Sequence, residues 1–115
     1  MQCSAYFGEI SEQRKNEWNC QDDNPYGVLQ DSIQLHRKGH NLWNVGDKYF
    51  NNRIQVDWGS YAWKSTSEEI IDFLKGTRTS LSWLVEDDEQ QIRQVRDYIK
   101  NHGNTQYGIV FVEDY

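Results

Sequence analysis

Residues 86–112, EDDEQQIRQVRDYIKNHGNTQYGIVFV, predict a helix followed by a buried strand. In the first part, apolar side chains recur at spacings of three and four: Ile92, Val95, Tyr98 and Ile99. With acids at its start and Gly103 after its end, this period predicts an amphipathic helix over Glu86–His102. The apolar run that begins at Ile109 is uninterrupted, so we expect Tyr107–Val112 to form a central strand covered on both faces.

A second helix is indicated upstream by Ser65-Thr66-Ser67-Glu68-Glu69, which offers a capping box in two registers. The pair is either Ser65 with Glu68 or Thr66 with Glu69, because a hydroxyl and a carboxylate can each accept a free backbone N–H of the first turn. The predicted buried face that follows consists of Ile70, Ile71, Phe73 and Leu74. Gly76 ends the helix. Leu81–Val85 is a short apolar run that suits either a strand or the approach to the next helix.

The stretch 41–64 is rich in aromatic residues separated by glycine and asparagine. Polar and apolar residues alternate over Arg53–Trp58, as in a half-buried strand. Asn51-Asn52 tolerates positive φ and suits a tight hairpin turn. We therefore expect Val45–Trp63 to form two or three antiparallel strands.

The first forty residues mix apolar and polar segments. Cys3–Ile10 predicts a short strand, and the polar stretch Ser11–Asp23 predicts a surface loop in which Trp18 folds back onto the body as an anchor. Pro25–Lys38 predicts a short helix, because proline suits the first helical position and a glycine follows the end. The alternative is a strand, since apolar and polar residues alternate over Ile33–Arg37.

The length of 115 residues corresponds to one domain, residues 1–115. Five Trp, seven Tyr and four Phe can bury enough area for a compact core despite a mean hydropathy of -0.93. The elements together predict an α+β fold: an antiparallel or mixed sheet of about four to five strands with two to three helices on one face.

Charge and composition exclude several classes of protein. Eighteen acids against twelve bases give a net charge of -6, which repels a phosphate backbone and disfavours nucleic acid as a partner. The chain has no apolar run of membrane-spanning length and no signal peptide at Met1–Ser4, so we expect no membrane association and a cytoplasmic location. Cys3 and Cys20 are then expected to be reduced thiols.

The motifs for metal, cofactor or nucleophilic chemistry are weak. His36 and His40 have the spacing of a helical metal pair, but Gly39 lies between them with Arg37 and Lys38. The serines of 65–67 are explained as helix caps, and the glycines form no phosphate-binding loop. We expect no metal and no cofactor, and an enzymatic activity is uncertain and less favoured than binding.

Acidic residues give the strongest functional signal. Residues 65–115 carry ten acids and five bases, and four acids in succession exceed what a helix start requires: Glu86, Asp87, Asp88 and Glu89. A second acidic group ends the sequence at Glu113, Asp114 and Tyr115. We predict that these seven residues, with Trp58 and Tyr61, contact a basic protein partner; the alternative is that the acids only solvate a helix start and a tail.

In small size, acidity, aromatic richness and lack of catalytic signatures, the chain resembles bacterial immunity and inhibitor proteins. The resemblance implies a protein that neutralises a basic toxin or enzyme by occluding its active site. One alternative is a small-molecule or carbohydrate-binding domain built on Trp58, Tyr61 and Trp63. Another is a small enzyme that uses carboxylates as acid and base.

Overall fold

A computed structural model describes residues 2–18, 25–39, 42–57, 60–77, 85–103 and 106–114. The strands are β1 (Gln2–Ile10), β2 (Leu29–Gly39), β3 (Asn51–Asp57), β4 (Ser60–Ser65) and β5 (Tyr107–Asp114). The helices are α1 (Glu12–Asn16), α2 (Leu42–Tyr49), α3 (Ser67–Gly76) and α4 (Val85–His102), with a 3-10 turn over Pro25–Val28. The strands form an antiparallel sheet in the order β2-β1-β5-β4-β3. The predicted α+β fold is confirmed.

Strand β5 lies at the centre of the sheet and is buried on both faces. Ile109 and Phe111 belong to the helix-side core, which also contains Phe7, Leu35, Trp63, Ile70, Phe73, Ile92, Val95 and Tyr98. Val110 and Val112 belong to the core on the opposite face, which also contains Ile10, Val28, Leu29, Val56 and Ala62. Alternate residues of one strand point to opposite faces, so the uninterrupted apolar run serves two cores, as predicted.

Both predicted helices downstream of β4 are present. The capping box uses the second register: Glu69 N donates to Thr66 Oγ1 at 3.1 Å, and Thr66 N donates to Glu69 Oε1 at 2.9 Å. The Ser65 hydroxyl does not cap the helix and donates a hydrogen bond to the Thr66 carbonyl at 2.8 Å. Helix α4 is followed by Gly103 with a φ of 64°, the left-handed conformation that commonly ends a helix. Residues 81–84 lie outside the described part, and Val85 opens α4.

The helix predicted over Pro25–Lys38 is wrong beyond its first turn. Pro25–Val28 forms the 3-10 turn, and Leu29–Gly39 is strand β2, so the alternating interpretation is the correct one. Long-range pairing decides the outcome, because β2 supplies the ladder for the free edge of β1 and packs Leu35 in the helix-side core. Here the proline and the glycine mark where the segment begins and ends, but they do not determine whether it forms a helix or a strand.

The strands predicted over Val45–Trp63 are correct only in their second part. Val45 falls in α2, where its four-residue spacing from Tyr49 puts both against the helix-side core. Asn51-Asn52 opens β3 and is not a hairpin turn, although Asn52 has the expected positive φ of 58°. The β3–β4 connection falls at residues 58–59, outside the described part.

The predicted loop Ser11–Asp23 contains a short helix, α1, and continues beyond the described part after Trp18. Trp18 is half-buried and donates its indole N–H to the Asn52 carbonyl at 2.6 Å, which confirms the predicted anchor. None of the described helices is long and apolar enough to cross a membrane.

Candidate functional site

The predicted acidic residues at the end of β5 lie at one end of the sheet. Asp114 is opposite Gln2, and Glu113 is opposite Cys3, so β5 finishes where β1 begins. The backbone places Glu113 and Asp114 there; their side chains and Tyr115 lie outside the described part. At this position β5 pairs with β1, whereas its pairs with β4 run from Tyr107 to Phe111.

Helix α4 begins toward the same end. Its Tyr98 donates a hydrogen bond to the Gln30 carbonyl, and its Gln91 lies against the Gln34 carbonyl. The helix therefore runs antiparallel to β2, which continues from Gln34 to Gly39 and pairs there with Cys3. The start of α4, residues 86–89, thus lies toward the end of the sheet where β5 finishes. We call Glu86–Glu89 with Glu113 and Asp114 the acidic end.

The structure describes the side chain of only one of the six residues of the acidic end, Glu89. Glu89 is exposed, whereas the side chains of residues 86–88 lie outside the described part. The charge is not uniform, because Arg37 and Lys38 close β2 at the same end, two strands from β5. Acidic residues thus lie on the central strand β5 and at the start of α4, and basic residues lie on the edge strand β2.

The β3–β4 hairpin also turns at this end. Asp57 pairs with Ser60, and the next residue, Tyr61, lies opposite Phe111 of β5. Tyr61 is half-buried, with the Arg53 guanidinium 5.5 Å from its ring centroid and the Trp63 ring at 6.4 Å. Trp58 lies outside the described part.

The aromatic group between residues 43 and 63 is largely interior where it is described. Trp63 has no exposed surface and contacts Phe111 at 4.9 Å between ring centroids. Its indole N–H donates to Asp47 Oδ1 at 3.0 Å, and Asp47 Oδ2 accepts from Arg53 at 2.7 Å. A sugar platform built on Trp58, Tyr61 and Trp63 therefore loses one of its three rings, because a buried ring cannot stack on a ligand.

A polar cleft of about 740 Å³ opens at the other end of the sheet, where β1 and β4 finish and β5 begins. It was not predicted, because its walls come from five separate parts of the sequence. The lining residues are Ile10, Asn51, Asn52, Lys64, Ser65, Thr66, Ser67, Glu69, Ile99, Gly103, Gln106 and Tyr107. Two sequence signals fall in it, Asn51-Asn52 and the capping box, and by themselves they indicate only a turn and a helix start.

Several lining residues of this cleft are held in place. Glu69 Oε2 accepts from Asn51 Nδ2 at 2.8 Å, while its Oε1 accepts from the Thr66 amide. The Tyr107 hydroxyl lies 3.0 Å from the Gly103 carbonyl and 3.2 Å from the Ile99 carbonyl, and it shares its one hydrogen between these two acceptors. Lys64 Nζ lies 5.8 Å from the centroid of the Trp18 ring.

Titratable groups meet where α4 crosses β1 and β2. The Tyr98 hydroxyl accepts from Glu9 N at 2.8 Å and donates to Gln30 O at 3.1 Å. Burial raises the pKa of the Tyr98 hydroxyl, and nearby Glu9 adds to the shift while its backbone hydrogen bond opposes it. Burial also raises the pKa of Tyr107. Hydrogen bonds to Glu9 and Glu12 raise the pKa of Lys15.

This group lacks the arrangement of a catalytic or metal centre. The His102 ring stacks on Tyr98 at 3.8 Å, with Nδ1 at 2.8 Å from the Tyr98 carbonyl and Nε2 at 3.9 Å from Asp31. Neither neighbour is a nucleophile that His102 would activate. Across the described residues, no three His, Cys, Asp or Glu side chains are placed to hold a metal ion.

Comparison with family models, curated proteins and solved structures finds no match to this chain.

Proposed function

We propose that the protein binds a basic protein partner through the acidic end and acts as an immunity or inhibitor protein that occludes the active site of a toxin or enzyme. The observation that carries the proposal is topological. Six acidic positions on two elements, residues 86–89 of α4 and Glu113 and Asp114 of β5, converge on one end of the sheet.

The electrostatics of such a surface suit fast recognition. A concentration of like charge at one end of a protein of net charge -6 attracts a basic surface over about 8 Å at physiological salt. Charge complementarity of this kind raises the association rate and rejects acidic partners more than it adds affinity. Tyr61, and with it Trp58 and Tyr115, would supply the aromatic contacts that anchor most protein interfaces.

The scaffold supports binding without refolding. The acidic end is carried by the central strand and by an 18-residue helix whose Ile92 and Val95 are buried in the helix-side core. Rigid elements lose little conformational entropy on association. The proposed partner is a cytoplasmic protein. A nucleic acid is disfavoured as a partner, because the net negative charge of the protein repels phosphate groups.

A pull-down from the native host tests the proposal. The native chain is compared as bait with E113Q/D114N and with E86Q/D87N/D88N/E89Q. The control is E68Q/D72N, which matches the charge change of E113Q/D114N by neutralising two exposed acids of α3, a helix that begins at the opposite end of the sheet. Circular dichroism verifies that each bait is folded.

We expect the native chain and the control to capture the same basic protein, which salt releases, and both acidic-end variants to capture less of it. Failure to capture a protein, capture that is indifferent to salt, or an equal loss in the control would contradict the proposal.

A further inference from the structure

We propose that the polar cleft opposite the acidic end binds a small, uncharged ligand rich in hydroxyl groups, such as a monosaccharide. The cleft is independent of the proposed protein-binding surface. Seven residue steps of β5 separate Tyr107 in the cleft from Asp114, which is about 24 Å along a strand.

The size and the lining suit a ligand of this class. Ligand pockets generally enclose about 300–1,000 Å³, and the cleft of about 740 Å³ falls within that range. The exposed lining residues carry amide and hydroxyl side chains, whereas the apolar Ile10 has no exposed surface. The hydroxyl groups of a sugar are hydrogen-bonding partners for such side chains.

The charges in the cleft are balanced, which disfavours an ionic ligand. Among the residues that the structure describes, the lining contains one acid, Glu69, and one base, Lys64. Both carboxylate oxygens of Glu69 already accept hydrogen bonds, and the Lys64 ammonium faces the Trp18 ring. An anion would meet the Glu69 carboxylate, and a cation would meet Lys64, so neither is favoured over a neutral molecule.

The remaining polar groups match hydroxyls, which both donate and accept. Because the Asn51 amide nitrogen donates to Glu69, its amide oxygen is oriented as an acceptor. Three exposed side chains add donors and acceptors without hydrogen bonds to other described residues: Asn52, Ser67 and Gln106. Neutral amides and hydroxyls of this kind fix the orientation of a ligand without a charge.

The walls are also organised in advance. Trp18 holds the Asn52 backbone through its carbonyl, Glu69 holds Asn51 and Thr66, and the Tyr107 hydroxyl holds the end of α4. A preformed site has less to order when a ligand enters, so weak individual hydrogen bonds can still give selective binding.

The test is an NMR titration of the full chain, recorded through backbone amides. The probes are D-glucose, D-galactose, D-mannose and N-acetyl-D-glucosamine, each added alone, with inorganic phosphate at matched ionic strength as the charged comparison. N52G removes a side chain from the cleft while keeping a residue that accepts positive φ, and S67A and Q106A remove two others. The matched control is N101A, an exposed asparagine of α4 outside the cleft.

We expect at least one sugar to give saturable shifts at residues 64–67 and 106–107, and phosphate to give none there. The cleft variants should bind that sugar about three- to tenfold more weakly, as expected for one lost hydrogen bond, and N101A should bind it normally. The proposal is overturned if no sugar gives saturable shifts, if phosphate shifts the same amides, or if the cleft variants behave as N101A does. Because the acidic end is not involved, either result leaves the protein-binding proposal to its own experiment.

Discussion

The Tyr98 hydroxyl accepts a hydrogen bond from the backbone amide of Glu9, 89 residues away, at a distance of 2.8 Å. It also donates to the Gln30 carbonyl, so one side chain of α4 is inserted between β1 and β2. The insertion coincides with an irregularity in the pairing between Phe7 and Glu9, where Asp31 has a φ of 52°. Helix α4, and with it the acidic residues at its start, is thereby fixed to the sheet.

Replacing Tyr98 by phenylalanine should destabilise the protein by about 1–3 kcal/mol, because the Glu9 amide and the Gln30 carbonyl lose a partner in a partly buried place. Urea unfolding at neutral pH measures the change. Y49F is the matched control, because Tyr49 is half-buried and contacts Phe73 through its ring, with 5.7 Å between the ring centroids. Equal stability of Y98F and Y49F would show that the inserted hydroxyl contributes nothing.

Stability should fall as the solution becomes alkaline. The raised pKa values of Tyr98 and Tyr107 mean that the folded state holds these protons more tightly than the unfolded chain, whose ordinary pKa is 10.0. Their contribution is complete below that pH and is lost as pH rises through the folded-state pKa. Urea unfolding from about pH 8 to about pH 11 should show a steeper decline for the native chain than for Y98F/Y107F.

Lys15 has a raised pKa and titrates in the same direction, but it is present in both proteins, so the difference in slope belongs to the tyrosines. Parallel stability curves for the two proteins would refute the assignment.

The capping box of α3 should contribute measurably to stability. T66A removes the hydroxyl that accepts from the Glu69 amide, with an expected cost of about 1 kcal/mol in the free energy of unfolding. S67A, one residue along and exposed, should change it by less than about 0.5 kcal/mol. A loss in S67A as large as that in T66A would contradict a stabilising cap at Thr66.

Gly46 should resist substitution although it lies inside a helix. A Cβ there would come within 2.5 Å of the buried Trp63 ring, so G46A should lose about 1–3 kcal/mol despite the better helix propensity of alanine. At Gly76 the added Cβ would meet the hydroxyl end of the half-buried Tyr49, which can move aside, and the cost should be smaller. Thermal or urea unfolding ranks the two variants, and the reverse order would contradict the packing described for Trp63.

Local patterns were sufficient where an element is defined by its own periodicity and caps. Helix α4 could be predicted because Ile92 and Val95 keep to a helical period, and strand β5 because the apolar run that begins at Ile109 is uninterrupted. Strand β2 could not, because Pro25 and Gly39 mark a helix locally while the pairing with β1 that makes it a strand is long-range. Helix α2 was missed because it lies in an aromatic-rich stretch whose downstream part does alternate as a strand.

The functional surfaces show the same division. The acids at residues 86–89 and 113–114 are visible in the sequence, but their shared end depends on strand register and on the direction of α4. The polar cleft has no sequence signature, because residues as distant as Asn51 and Gln106 line it together.

The association rate of the native chain with its captured partner, measured across ionic strength by stopped flow, tests the acidic end most directly. We expect the rate constant to fall about tenfold or more as salt is raised, and E113Q/D114N to associate more slowly at low salt with a shallower salt dependence. The control E68Q/D72N should follow the native chain. A rate constant that does not change with salt, or an E113Q/D114N variant that matches the control, would contradict recognition through the acidic end.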